Sequence, residues 1–493
     1  MKSLLKASTK FFSYCNVLNE NTISSNIKNA QYAVRGLISV KADEMMNEMK
    51  RGKVFPFNKF YKCNIGNPQV FGQPPFTYHR QLLAAVMYPE LINMGLFPID
   101  VVEEAKEIFS SLGQNQNIIL YSDCQGLKKV RESVRQFLLE SDQVDSNISK
   151  IFLVNGASDG ITSMISLILK NPNDSIMIPI PQYPLYNALI SLNGGQACPY
   201  YLNEEKNWAI DFEDLIKNYE IAKKKNLNVK AIVIINPGNP TGQLFGKEDI
   251  DKIVKFSFDN NLTILADEVY QNNIYINKKF VSFRKVISES PFPYNKTMIA
   301  SSNSTSKGYL GECGFRGGYM ELMNFPEEIV EQLRRARYSS YSPNIIGQLL
   351  TEAMVNPPKK GRNSEDVVSL YEQEKAVIHK GLQERAIIIA KSLNQIKNIT
   401  CQPIEGAMYG FPRVFLTPKA IEAAKSRSLH PDAFYSVSAL ENMGLMVVPG
   451  SGFGQKDGTY HFRITNLIWN KDELHEMLKS FSKFNEEFFS KYS

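Results

Sequence analysis

What the chain has little of narrows it first. Its 493 residues hold six cysteines, at positions 15, 63, 124, 198, 313 and 401, with no Cys-x-x-Cys pair and no histidine at a matching spacing. A zinc site or other metal centre is therefore not indicated, and the pattern suits free thiols in a reducing compartment. No apolar run approaches the roughly 18 residues of a membrane-crossing helix, so no membrane span is expected. The net charge of +6 is small for this length and no basic block concentrates it, which argues against nucleic-acid binding. Internal repeats and low-complexity tracts are missing too. What remains is a globular composition, 43% hydrophobic and 22% charged, in a chain too long for one core. Its size implies roughly two to four domains.

The N-terminus lacks something of its own. Met1 to Asn19 contains no acid, while Lys2, Lys6 and Lys10 recur every fourth residue. On a helix these lysines share one face, with Leu4, Leu5, Phe11 and Phe12 opposite. Residues 1–16 are thus expected to form a cationic amphipathic presequence for the mitochondrial matrix. Against this the segment has no arginine, and a short basic N-terminus also suits a cytoplasmic protein.

Apolar, β-branched runs bounded by turn residues predict buried strands at Ile151-Val154, Ala231-Ile235, Leu262-Ala266 and Met298-Ala300. Patterned stretches at Gly126-Glu140 and Lys247-Asn260 predict helices between them. Strands alternating with helices make an α/β fold with a mostly parallel central sheet covered on both faces. Ligands of such sheets gather at the carboxyl ends of the strands, where this reading places Asn155, Asn236, Asp267 and Ser301. Past the breaker-rich stretch 356–362 the chain reads as helical to about Gln395, then as short strands. The expected organisation is an extension at 1–16, an arm and part of a smaller domain at 17–100, a large domain at 101–375 and a small α+β domain at 376–493.

Lys307 follows Ser304-Thr305-Ser306, and Gly314-Phe315-Arg316-Gly317-Gly318 comes after it. A lysine that condenses with an aldehyde needs small neighbours, and it must be neutral when it attacks. It can then move protons at the substrate. Arg316 offers a planar fork to a phosphate. A surface lysine in a Ser-rich turn would look the same.

Asp267, at the end of an apolar strand, is a buried carboxylate in want of a cation such as a protonated ring nitrogen; a strand-end turn acid is the plainer reading. Asn239, within Asn236-Pro237-Gly238-Asn239-Pro240-Thr241-Gly242, and Tyr270, in Asp267-Glu268-Val269-Tyr270, are placed to donate to a phenolic oxygen, although such a string also makes an ordinary loop. Gly156-Ala157-Ser158-Asp159-Gly160, between a strand and an apolar helix, supplies backbone donors and the Ser158 hydroxyl for a phosphate; Ser304 and Ser306 can add theirs. Tyr183, in Pro181-Gln182-Tyr183-Pro184-Leu185-Tyr186, offers a stacking face, whereas Tyr186 reads as core packing. Arg463, in Tyr460-His461-Phe462-Arg463-Ile464-Thr465, has no acid nearby in sequence and suits an α-carboxylate or a distant ion pair. Gly450-Ser451-Gly452-Phe453-Gly454 is glycine-rich, but neither a helix-opening pattern nor an acid about 20 residues on supports a dinucleotide site.

In this order the strings resemble pyridoxal-phosphate enzymes of the aspartate aminotransferase superfamily, fold type I, and within it the alanine aminotransferases. Tyr32-Ala33-Val34-Arg35-Gly36, Asn64-Ile65-Gly66-Asn67-Pro68, Tyr121-Ser122-Asp123-Cys124-Gln125-Gly126 and Glu405-Gly406-Ala407-Met408-Tyr409 extend the likeness from about Val17 to the C-terminus. The resemblance implies pyridoxal 5'-phosphate as cofactor and transfer of the amino group of L-alanine to 2-oxoglutarate by ping-pong chemistry. It makes Lys307 the residue that takes the cofactor's aldehyde, Asp267 the partner of the ring nitrogen, and Asn239 with Tyr270 the donors to the phenolic oxygen. Arg463 would bind the α-carboxylate, Gly66 would approach it by backbone, and Tyr121 would reach the phosphate of the neighbouring subunit in a homodimer. A glyoxylate or aromatic aminotransferase of the same fold is the alternative. A non-catalytic cofactor-binding regulator would need a helix-turn-helix module that the first hundred residues do not show.

Overall fold

The computed structural model describes residues 18–19, 21–30, 36–113 and 117–493. The expected presequence at 1–16 lies outside them, as do residues 32–35.

Eight strands form the central sheet: β1 (Ile151–Leu153), β2 (Asp174–Ile180), β3 (Gln196–Asn203), β4 (Ala209–Ile210), β5 (Asn228–Ile235), β6 (Thr263–Asp267), β7 (Ile299–Ser304) and β8 (Gly318–Met323). Their order is β1-β8-β7-β6-β5-β2-β3-β4. β3, β2, β5, β6 and β7 run parallel, and β8 runs against β7. Every residue of β2, β6 and β7 is buried, because helices cover both faces. Strands so placed need no polar alternation. The helices expected at 126–140 and 247–260 form at Lys128–Asp142 and Lys247–Asp259.

Two features depart from the sequence expectation. β2 contains Pro179, which weakens it as a strand candidate, yet it lies in the middle of the sheet between β3 and β5. The strand expected at Met298-Ala300 runs on to Ser304 through polar residues whose partners lie inside the protein. Ser301 donates to Glu268 (2.7 Å) and Asn303 donates to the Tyr319 hydroxyl (3.3 Å). Ser301 is therefore inside β7, not at its carboxyl end; Ser304 occupies that end.

A second layer holds a small sheet. After β9 (Ile399–Thr400), the strands are β10 (Tyr409–Gly410), β11 (Arg413–Val414), β12 (Val448–Pro449) and β13 (Phe462–Thr465). β13 lies between β10 and β12, antiparallel to both. Helix Leu37–Lys50 joins this layer, since Ile38, Ala42 and Met45 pack with Val437, Leu440 and Met446. Helix Thr77–Met87 instead packs on Ile99–Ser111 and Ile345–Val355 beside the large sheet. The 29-residue helix Glu365–Leu393 runs unbroken past residue 375.

Candidate active site

The carboxyl ends of β5, β6 and β7 open into a cavity of about 350 Å³ whose far wall is the small sheet. Lys307, three residues past β7, donates to the Gly66 carbonyl at 3.0 Å and lies 5.8 Å from the centre of the Tyr270 ring.

Asp267 ends β6 and is buried. Its Oδ2 accepts the Tyr186 hydroxyl at 2.9 Å. Burial pushes its carboxyl up to about 6, against the opposing pull of Tyr186, the Val269 amide and Lys307. A carboxylate so poorly solvated is ready for a cation.

Helix Ala157–Ile168 starts immediately after Gly156, whose φ of 82° suits glycine. Ala157 and Ser158 put the first turn of that helix on the cavity wall. Arg316 lies alongside, donating to Ser306 Oγ (3.2 Å), Ser158 Oγ (3.2 Å) and the carbonyls of Cys313 (3.0 Å) and Asn155 (3.2 Å). A Cβ on Gly156 would stand 2.3 Å from Arg316 Nη2, so the glycine is what lets the arginine reach the helix start. Ser304 and Tyr183 line the same end.

At the other end Arg463 is 1% exposed. Nη1 donates to Asn239 Oδ1 (3.0 Å) and Nη2 to the Asn64 carbonyl (2.7 Å). Gly66 lies beside it, and a Cβ there would meet the Tyr409 hydroxyl at 1.8 Å. The Tyr409 hydroxyl is also 3.5 Å from that of Tyr270. Burial alone would push Tyr409 up, but Lys307 and Arg463 together hold it below the usual phenol range. Among the described residues neither Arg316 nor Arg463 pairs with a carboxylate.

The fold thus brings the residues expected from the sequence into one cleft, with one exception. Tyr121 is 80% exposed, stacked on Tyr341 with ring centres 5.0 Å apart, and does not line the cleft of its own chain. Two residues took no functional role in the sequence reading. Tyr186, read there as core, is the hydrogen-bond donor to Asp267. Tyr409 joins the two ends of the cleft. Nothing local in the sequence separates either from an ordinary buried tyrosine.

This arrangement fits pyridoxal 5'-phosphate. A desolvated carboxylate lacks a full cationic partner, a helix start and an acid-free arginine suit a phosphate, and a lysine lies between them.

A family model described as aminotransferase class I and II matches residues 89–481. The chain is 42% identical over 483 residues to a probable mitochondrial alanine aminotransferase of Dictyostelium discoideum, covering 96% of this chain and 89% of that one. It is 41% identical over 481 residues to glutamate–glyoxylate aminotransferase 1 of Arabidopsis thaliana, covering 96% and 97%. The solved structure of an alanine aminotransferase from Pyrococcus furiosus shares the fold, with a TM-score of 0.73 at 24% identity over 94% of this chain and 100% of that one.

Proposed function

Because this chain belongs to the class I and II aminotransferase family, whose enzymes depend on pyridoxal 5'-phosphate, we propose that it moves the amino group of L-alanine to 2-oxoglutarate, giving pyruvate and L-glutamate. The observation that carries this reading is one cleft holding Lys307 together with Arg316 and Arg463, two arginines that among the described residues pair with no carboxylate. When bound, the cofactor supplies an aldehyde carbon for the amino group and a ring that takes up an electron pair.

The chain's own residues do the rest. Arg316, the first turn of Ala157–Ile168, Ser158 and Ser304 would hold the phosphate, and Tyr183 would offer its face to the ring. Asp267 would keep the ring nitrogen protonated, while Asn239 and Tyr270 would donate to the phenolic oxygen. Lys307 is the amine that would hold the cofactor by its aldehyde carbon, with loss of water, and once free it would carry a proton to and from the substrate's α-carbon. Arg463 and the backbone at Gly66 fix the α-carboxylate that every amino and 2-oxo acid substrate shares.

In this reading residues 101–375 supply the cofactor end of the cleft, and residues 376–493 with part of 17–100, joined by Asn239, supply the substrate end. Tyr121 serves the phosphate of a second subunit in a homodimer, consistent with its exposure on its own chain. Residues 1–16 direct import into mitochondria, a reading supported by their acid-free lysine pattern and by the word mitochondrial in one relative's name.

Assays of L-alanine, L-glutamate, L-aspartate and aromatic donors against 2-oxoglutarate, pyruvate and glyoxylate test the substrate pair. L-Alanine with 2-oxoglutarate should be the best combination. Because one methylene is worth only about 1–3 kcal/mol of discrimination, other small donors should show some activity. A tenfold preference for aspartate or aromatic donors would overturn the assignment, and a preference for glutamate with glyoxylate would move it to that second relative's chemistry. A fully active monomer would rule out the shared site, and a cytosolic reporter carrying residues 1–25 would rule out import.

A further inference from the structure

Arg463 has two aromatic neighbours as well as its two hydrogen-bond acceptors. Its guanidinium carbon lies 4.1 Å from the centre of the Tyr409 ring and 4.9 Å from that of Phe453. Guanidinium groups favour such faces, and rings so close fix the plane in which the remaining N–H groups point. Tyr409 is held by β10, which pairs with the strand carrying Arg463. Phe453 lies outside the strands; it ends the short turn Gly450–Phe453, within the glycine-rich string that follows β12.

Asp432 grips that turn, which is also held by the Gly450 amide donating to the His461 carbonyl at 2.8 Å and by Phe453 packing edge-on against Phe411. Its carboxyl is 1% exposed and lines no part of the cleft. Oδ2 accepts the Ser451 amide at 2.5 Å and Gln455 Nε2 at 2.9 Å, gripping the turn on both sides of Phe453. Oδ1 accepts the Ala433 amide at 2.8 Å and meets His430 Nδ1. Gln455 Oε1 lies 2.9 Å from Nδ1 of His461, two residues before Arg463. The Phe453 carbonyl accepts the Gln182 amide at 2.8 Å, next to Tyr183. A buried carboxylate is costly unless donors converge on it, and here two of its four partners, Ser451 and Gln455, belong to the segment that carries Phe453.

We propose that Asp432 is a positioning residue for substrate: by pinning the turn at 450–454 it holds Phe453 against Arg463 and so fixes the guanidinium that receives the α-carboxylate. The proposal rests on reading Arg463 as that receptor. Both substrates carry the same carboxylate, so loosening the turn weakens both and leaves Lys307 and Asp267 in place.

The test compares Asp432→Asn, Phe453→Leu and Arg463→Lys with the wild type. It uses the amino acid and 2-oxo acid pair that the wild type turns over best, with melting temperature and cofactor absorbance recorded for each. Asp432→Asn and Phe453→Leu should each raise KM for both substrates about tenfold, the size of one lost charge-assisted contact, with kcat within about twofold. If Arg463→Lys raises KM but the folded Asp432 and Phe453 variants do not, or lose only kcat, the positioning role is overturned while the carboxylate reading stands. If Arg463→Lys itself leaves KM unchanged, the carboxylate reading and the proposal fall together. Should Asp432→Asn not fold, Phe453→Leu decides by the same criterion.

Discussion

At one end of the cleft Arg316 is half-buried and surrounded by hydroxyls, carbonyls and the start of a helix. At the other, Arg463 is 1% exposed, bonded to a side-chain amide and a carbonyl, and covered by aromatic rings. Among the described residues neither cation pairs with an acid, so both suit anions, and the surroundings differ as the proposed ligands do. In the proposed reading, a cofactor that stays bound would be met by many modest donors on one layer. Substrates that exchange in each half-reaction share only an α-carboxylate, and a desolvated guanidinium makes that single contact count for more than it would in water. The proposed cofactor end comes from strand ends, a helix start and turns between residues 155 and 316. The substrate end needs Asn64, Asn239, Tyr409, Phe453 and Arg463, from nearly the whole chain.

The largest effect should come from the residue between the ends. Lys307→Ala should lower turnover by more than about 10³-fold and abolish covalent attachment of the cofactor, read by mass spectrometry after borohydride reduction. Some cofactor should stay bound through its phosphate.

Two glycines then separate the ends. Gly156→Ala places a Cβ 2.3 Å from Arg316 at a positive φ and should weaken cofactor binding about 100-fold, with substrate KM unchanged once the cofactor is saturating. Gly66→Ala forces a Cβ onto the Tyr409 hydroxyl. It should raise KM for both substrates by about ten- to 100-fold, with cofactor affinity within about twofold of wild type. Equal damage to both functions by either variant would collapse the distinction between the ends.

A smaller effect concerns Asp267 alone. In the cofactor-free protein its carboxyl is raised by burial to about 6, from an ordinary 3.8. The folded state then holds this proton more tightly than the unfolded state. Its stabilising contribution is complete below pH of about 4 and is lost as pH rises through about 6. Cofactor-free wild type should lose stability over that window by an amount on the order of a few kcal/mol that Asp267→Asn does not lose, measured by urea unfolding at each pH. Cofactor binding should flatten the difference. Smallest of all, Tyr186→Phe removes one donor to Asp267 and should lower kcat by about tenfold or less, with KM for substrates unchanged.

The contrast between the ends also explains what was legible in the sequence. The cofactor end lies on contiguous strings, a strand followed by its turn, so Gly156–Gly160, Asn236–Gly242, Asp267–Tyr270 and Ser304–Gly318 announce themselves. The last residues of β7 are polar and carry no strand signal, and only tertiary partners such as Glu268 and Tyr319 make Ser301 and Asn303 acceptable in a buried strand. Arg463 stood out as an arginine in an apolar strand. Its companions did not, because Asn64 contributes a carbonyl rather than a side chain, and Phe453 and Tyr409 are aromatic residues in a chain rich in them. Tyr186 lies three residues from Tyr183, yet nothing in that spacing says which tyrosine meets Asp267.

The most direct test is to measure cofactor affinity and L-alanine affinity separately on Arg316→Gln and Arg463→Lys. Spectroscopic titration of the cofactor-free proteins gives the first, and the rate of the alanine half-reaction at saturating cofactor gives the second. The account predicts that Arg316→Gln loses cofactor affinity and keeps alanine affinity, while Arg463→Lys does the reverse. Loss of cofactor affinity in Arg463→Lys, or unchanged alanine affinity in it, would contradict the division of the cleft on which the proposed chemistry rests.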